Sequence, residues 1–411
     1  MSSFREGIKV ILLISFFGIS LVHAEETIVS GSVRVEQGIG LMDPKDLVLN
    51  REEFSLNAEK TIAECKGKVS GRFRYETKLA QSKNTVAEVR EGSVTCRREE
   101  WLVSVGRQSV VWGKADGFPV LDVVHPFDYR EFIFDDRAAS RRPLTMLRVE
   151  KRIGNENYAQ LLVIPERRED ILPKPGDRFS EPLGNQAELA DAAGLTNNRD
   201  GLHVATPQVG IKWEHASSDI SWTLNFLNRW APQPYYVFNP SSLSVLDVSY
   251  QQWIIGGSFD RSFSDWVVRG EMIYMPRDFR SASSSQIDYR SYQQISWMLG
   301  VDKSIGEWLL GAQFFQTNFS GAEVEPVGGR QQNTLTLMTT RSFWQDRLQF
   351  RGFVARDLNH GGTWLRARNS WQAYSNVELG VQCDWFTGDS DSTLGKLKHE
   401  SRIKFDIKLD F

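Results

Sequence analysis

The chain ends in SRIKFDIKLDF, with Ser401, Ile403, Phe405, Ile407, Leu409 and Phe411 at one parity and Arg402, Lys404, Asp406, Lys408 and Asp410 at the other. Successive side chains of a strand point to opposite faces, so this is a strand with one apolar and one charged face. The pattern recurs upstream. Val377, Leu379, Val381, Cys383 and Trp385 alternate with Glu378, Gly380, Gln382 and Asp384. Leu365, Ala367 and Trp371 oppose Arg366, Arg368, Ser370 and Gln372. Ile220, Trp222, Leu224 and Phe226 oppose Ser221, Thr223 and Asn225, and Phe73 and Tyr75 oppose Arg72, Arg74 and Glu76. A chain written this way is all-β.

The connections have a two-sided rhythm. Short turns at 154–157, 216–219, 262–265, 304–307, 343–346 and 374–376 alternate with longer connections at 231–242, 276–288, 320–330 and 388–398. A sandwich gives no reason for that asymmetry. A transmembrane antiparallel up-and-down β-barrel does, with tight periplasmic turns and longer external loops. The expectation is about 18 strands, an even number that leaves both termini on the periplasmic side. Trp101, Trp266, Trp308, Trp344 and Trp364 stand at strand ends, where interfacial aromatic girdles belong. The mean hydropathy of −0.37 suits strands that show lipid only every second residue.

Residues 1–24 read as a signal peptide, with Arg5 and Lys9 before an apolar run from Val10 to Val22 and a small-x-small site ending at Ala24. That run is short of the ~20 residues a helical span needs. The barrel then occupies 25–411, in the outer membrane of a Gram-negative bacterium with outer-membrane lipid around it. A formal net charge of −3 argues against a nucleic-acid partner defined by gross basicity. Of three cysteines, Cys65 and Cys96 lie at matching distances from a hairpin loop near 81–84, which sets them opposite each other on neighbouring strands. They form a disulfide in an oxidising periplasm or stay as two thiols, because cross-strand geometry is strict.

One loop stands out. Residues 112–142, beginning WGKADGFPVLDVVHPFDY, follow the fifth strand and are too apolar to stand in water. The expectation is a long in-folded loop that packs through Phe118, Val120, Leu121, Phe127 and Phe132. It would set Asp116, Asp122, His125, Asp128, Asp135 and Asp136 at a constriction. A second long segment, 167–204, reads as an extracellular loop, with a short helix at 185–194.

Gly106, Arg107, Gln108, Trp112 and Gly113, followed by Asp122, Pro126 and Asp128, resemble a family of proteobacterial outer-membrane proteins of largely unknown function. Members carry a G-R-Q-x-x-x-W-G run and then an N-P-x-D-like run; here His125 stands where Asn is common. The chain is also distantly similar to alginate-export-type 18-stranded porins. The resemblance implies an outer-membrane barrel, in whose general porin form the constriction loop sits at this point in strand order. It implies no substrate. A last strand ending on Phe411 resembles the sorting signal of such barrels, which makes the barrel-assembly machinery an expected partner.

The polar parity carries Arg72, Arg74, Arg148, Arg152, Arg269, Arg351, Arg366, Arg368 and Arg402, with Lys404 and Lys408, against Glu76, Glu150, Glu271, Asp384, Asp406 and Asp410. Base exceeds acid there. A low-dielectric wall focuses such a field, and Arg grips carboxylates at two points. A porin-like channel for passive passage of small anionic solutes follows as an expectation. Equally open is that these charges pair across strands to fill the lumen. The functional alternative is a plugged accessory barrel that assists export or transfer of apolar compounds or polysaccharide, with an export-system partner. His125, His203, His215, His360 and His399 make no evident triad, and no metal or phosphate-loop spacing is present, so neither catalysis nor a cofactor is expected.

Overall fold

The computed structural model describes residues 27–42, 45–78, 84–134, 136–175, 177–180, 201–239, 241, 244–283 and 285–411. The expected signal segment 1–24, Asp135 and the 185–194 helix lie outside the described residues. Eighteen strands make one sheet: β1 Thr27–Gly40, β2 Leu47–Ile62, β3 Cys65–Glu76, β4 Thr85–Arg98, β5 Trp101–Gln108, β6 Leu144–Ile153, β7 Asn157–Ile164, β8 Gln208–Ala216 and β9 Ile220–Trp230. They continue as β10 Gln251–Phe263, β11 Trp266–Ala282, β12 Ser285–Ile305, β13 Trp308–Ser320, β14 Gln331–Phe343, β15 Leu348–Asp357, β16 Thr363–Tyr374, β17 Val377–Thr387 and β18 Arg402–Asp410. Each pairs antiparallel with the next, and β18 returns to β1 from Ser32↔Asp410 to Gly40↔Arg402. The ring has no free edge, which is what a sheet in lipid requires.

The alternation read from the sequence is turned inside out relative to a soluble protein. On β18, Arg402, Lys404 and Asp406 are 3%, 9% and 3% exposed, whereas Phe405 and Ile407 are 49% and 56% exposed. On β9, Thr223 and Asn225 are buried and Leu224 is exposed. Polar side chains thus face the enclosed side and apolar ones the outside, an arrangement that costs free energy in water and gains it in a bilayer; the exception is the wall under the 112–142 loop, where Leu162, Leu227, Ile254 and Ile273 are buried. The seam is sealed by the last residue. Gly31 and Phe411 exchange backbone hydrogen bonds at 2.8 and 3.0 Å. A Cβ on Gly31 would meet the Phe411 ring at 2.5 Å, so only glycine lets that ring lie there and pack beside Phe54.

Three expectations change. The connection expected at 276–288 is strand: β11 runs through Pro276 to Ala282, and β12 resumes at Ser285. The register slips between Met275 and Asp278, so Pro276 sits in a bulge, where its missing N–H breaks no ladder bond. Trp364 does not join an interfacial girdle. It is 5% exposed, stacks on Phe386 and donates to Asp384 Oδ1, because its parity is opposite to that of the outward Leu365. The connections expected at 231–242 and 167–204 carry or border small sheets of their own, Tyr235–Asn239 with Ser244–Val248 and Glu166–Arg167 with Gly201–Leu202. Cys65 and Cys96 stand in register on β3 and β4 and are joined as a disulfide, their Cα atoms 4.0 Å apart.

Candidate functional site

The neck of the loop between β5 and β6 is built by the residues that gave the family resemblance. Gly106 has φ +123°, and a Cβ there would lie 2.2 Å from Gly92 O, so the strand can turn only at a glycine. Arg107 pairs with Glu166 at 2.7 Å, and Gln108 donates to Met146 O at 3.3 Å. Trp112 is buried and donates through Nε1 to Gln160 Oε1 on β7 at 2.8 Å. Gly113 lets the limbs of the loop touch, since a Cβ there would be 2.8 Å from Asp122 N. At the throat, His125 Nε2 accepts from Val110 N at 2.8 Å, its Nδ1 faces Arg142 O at 3.1 Å, and Arg142 N donates to Pro126 O. An Nε2 that accepts leaves the proton on Nδ1, so the ring is neutral. Burial lowers the His125 pKa to about 4.

From the neck the chain runs between opposite walls. The Glu271 carboxylate on β11 accepts from three loop amides, those of Lys114, Ala115 (2.7 Å) and Leu121 (2.9 Å). Beside it, Asp116 meets Arg269 at 2.9 Å, Gln313 donates to Asp116 Oδ2 at 3.1 Å, and Lys114 contacts Asp260. Further along the loop, Glu131 meets Arg51 on β2 at 3.2 Å and Arg402 on β18 at 3.8 Å. Strands β2 and β11 are half a turn apart in an 18-strand ring, so these two anchors hold the loop from facing sides. Between them Val110, Trp112, Val120, Leu121 and Val124 join a buried cluster with Leu162, Leu227, Ile254 and Ile273. Each fully buried apolar side chain contributes about 1.5–3 kcal/mol. Phe134 packs against Phe386, ring centroids 5.4 Å apart. Phe118 and Phe132 are only partly buried.

The expected wall arginines share the enclosed side, but most are spoken for. Arg72 pairs with Glu88 (2.6 Å), Arg74 with Glu53 (2.9 Å), Arg148 with Glu150 (3.7 Å) and Arg366 with Asp384 (2.6 Å). Arg368 pairs with Asp406 and Glu378, and Arg269 also meets Asp302. Arg152 donates to the turn carbonyl of Gly154. Arg351 has no ion pair among the described residues and stands in register with Arg368. The loop acids are placed differently from expectation. Asp122 binds Arg137 and Arg141, Asp128 binds Arg130, and Asp136 caps the short helix Arg137–Ser140 through Ala138 N. These carboxylates hold the loop's own fold, because its nearest cations are its own arginines. Of the described loop aspartates only Asp116 pairs with an expected wall arginine, and of the loop glutamates Glu131 reaches Arg402. His125, expected at the constriction, is 1% exposed and closes the neck instead.

Sequence reasoning missed Glu271 and Glu131 as anchors. Parity put Glu271 on the polar face, but nothing in the sequence links it to amides some 150 positions away. One space of about 730 Å³ lies along β2–β6 toward the short turns, lined by Glu59, Lys66, Lys68, Glu91 and Arg148. The other, about 320 Å³, lies between loop residues 118–129 and the outer halves of β11–β14.

A family model described as a protein of unknown function, DUF1302, matches residues 92–411, the motif included. No curated protein matches the sequence. Among solved structures, Pseudomonas aeruginosa OccK5 (OpdH) matches with a TM-score of 0.54 and 10% identity over 94% of this chain and 97% of that one. Pseudomonas aeruginosa OpdK, solved with vanillate, gives 0.54 and 9% over 94% and 98%. Pseudomonas aeruginosa OccK8 (OprE) gives 0.55 and 8% over 94% and 98%. At such identities the likeness is one of fold, that of an outer-membrane porin-like barrel.

Proposed function

We propose a function for this chain, which belongs to the DUF1302 family of proteins of unknown function and has a porin-like outer-membrane barrel fold. It is a channel for passive passage of small solutes, anions preferred, through a lumen narrowed by the 112–142 loop. The observation that carries the anion preference is the pair Arg351 and Arg368, side by side on β15 and β16, the first without an ion pair among the described residues. An enclosed guanidinium in a low-dielectric wall raises the local anion concentration. Most of the other wall arginines are matched by carboxylates and Arg152 by the Gly154 carbonyl, so the preference is modest.

A second reading rests on the anchors at Glu271 and Glu131, which hold the loop from facing walls. A loop fixed so firmly suits a plugged accessory barrel that transfers apolar compounds or polysaccharide with an export partner. Planar-bilayer recording of the purified mature chain separates the two. A steady ohmic current with a reversal potential toward anions supports the channel, and Arg351→Glu then moves that potential toward cations. Silence from the wild-type chain, with current appearing only in Glu271→Ala, refutes the open channel in favour of the plug.

A further inference from the structure

The 320 Å³ space beside the loop has a two-sided lining. Phe118 and Phe127 from the loop and Met275 and Phe315 from β11 and β13 make an apolar side. Phe118 and Phe315 are already edge-to-face at 5.9 Å, an arrangement that accepts a further ring. Arg137 and Tyr129 stand on the polar side. The Arg137 guanidinium lies 4.3 Å over the Phe127 ring, which fixes its plane, and its Nε is held by Asp122 at 3.1 Å. Its Nη2 is buried and has no hydrogen-bond partner among the described residues. A buried donor left unused costs about 1–3 kcal/mol, and an acceptor from a bound solute would recover it.

We propose that this space is the solute-binding site on the outer side of the loop, and that it takes a monocarboxylate with one apolar ring. The ring lies among Phe118, Phe315 and Met275, and the carboxylate meets Arg137 with Tyr129 beside it. The volume suits a single-ring solute and not an oligosaccharide. The lining's formal charges balance, Arg137 and Arg229 against Asp122 and Asp170. Both acids are already engaged: Asp122 Oδ2 is shared by Arg137 and Arg141, and Asp170 accepts from Phe127 N and Gln233. The group left unmet is the Arg137 Nη2 donor, so the site calls for an acceptor beside the ring and not for a neutral ring alone. This inference rests on the channel reading, whose substrate class it names.

The test is calorimetric titration of the detergent-solubilised full-length mature barrel with benzoate, and in parallel with benzyl alcohol and acetate. Saturable benzoate binding at least tenfold tighter than either relative is expected. Arg137→Gln should weaken benzoate at least tenfold and leave benzyl alcohol unchanged. Because Arg137 also steadies the loop, a second variant leaves the loop intact: Gln294→Glu on β12 puts a negative charge in the lining at equal volume. It should weaken benzoate at least fivefold and spare benzyl alcohol. Heat-modifiable gel migration verifies that each variant is a closed barrel. Absence of saturable benzoate binding to the wild-type chain, or equal binding of benzoate and benzyl alcohol, overturns the proposal, as does benzoate binding that both variants leave untouched. A barrel that binds benzoate as expected yet carries no current keeps the site and discards the channel.

Discussion

Replacing His125 by Phe tests what closes the neck of the loop. The imidazole joins two backbone groups on opposite limbs, the Val110 N–H and the Arg142 C=O, at a position 1% exposed. Phenylalanine fills similar volume and offers neither partner. Each buried backbone group left unsatisfied costs about 1–3 kcal/mol, so local opening becomes easier by roughly 2–6 kcal/mol. Acid tests the same contact in the wild-type chain. The folded pKa is about 4, against an unfolded value near 6.5, with burial as the first cause. A depressed pKa means that the neutral ring's contribution is fully present above pH ~6.5 and is lost as pH falls through about 4. A shift of that size corresponds to roughly 3 kcal/mol, or a few hundredfold in the opening equilibrium. Hydrogen exchange of the Val110 amide, read by mass spectrometry and corrected for intrinsic rates, is the assay. Wild-type protection should fall between pH 6.5 and 4. His125→Phe should show weak protection at pH 7 and no further loss across that window. Wild-type protection that is flat in pH, or a variant protected like the wild type, would refute the neutral-latch argument.

Glu271→Ala releases three loop amides while leaving the β10–β11–β12 ladders intact. Larger and noisier single-channel current is expected with thermal unfolding of the barrel nearly unchanged, and Glu271→Gln should be milder because its amide oxygen still accepts. An unaltered current trace in Glu271→Ala would show that the anchor does not limit the lumen. Gly31→Val forces a Cβ into the Phe411 ring and should lower the yield of heat-modifiable barrel in the outer-membrane fraction. Pairing it with Phe411→Ala should restore part of that yield and not all of it, because Ser55 O lies 2.6 Å from the same Cβ; full recovery would show that the ring alone demands the glycine.

Much of the architecture is legible in one dimension because the period of two needs no tertiary knowledge. Arg402, Lys404 and Asp406 against Phe405 and Ile407 announce a two-faced strand, and the alternation of short and long connections announces an up-and-down ring. Boundaries are weaker where a residue reads as a breaker. Pro276 reads as the start of a loop, yet the bulge at Met275–Asp278 absorbs it and β11 continues.

The site divides in the same way. Parity placed Arg269, Arg351, Arg366, Arg368 and Glu271 on one face, since alternation alone sets the side a strand residue takes. It could not say which charges meet. Glu271 reaches Leu121, and Glu131 reaches Arg51 and Arg402, only because closing the ring sets β2 opposite β11 and gives the loop two walls. His125 and Asp122 read as constriction residues from composition, but the loop's own arginines and backbone lie nearer than the wall and claim them first. The sequence by itself determined which side of each strand faces lipid, because that follows from a two-residue period. The tertiary structure decided which charges are spent and which remain, because pairing depends on distances that only the closed barrel creates.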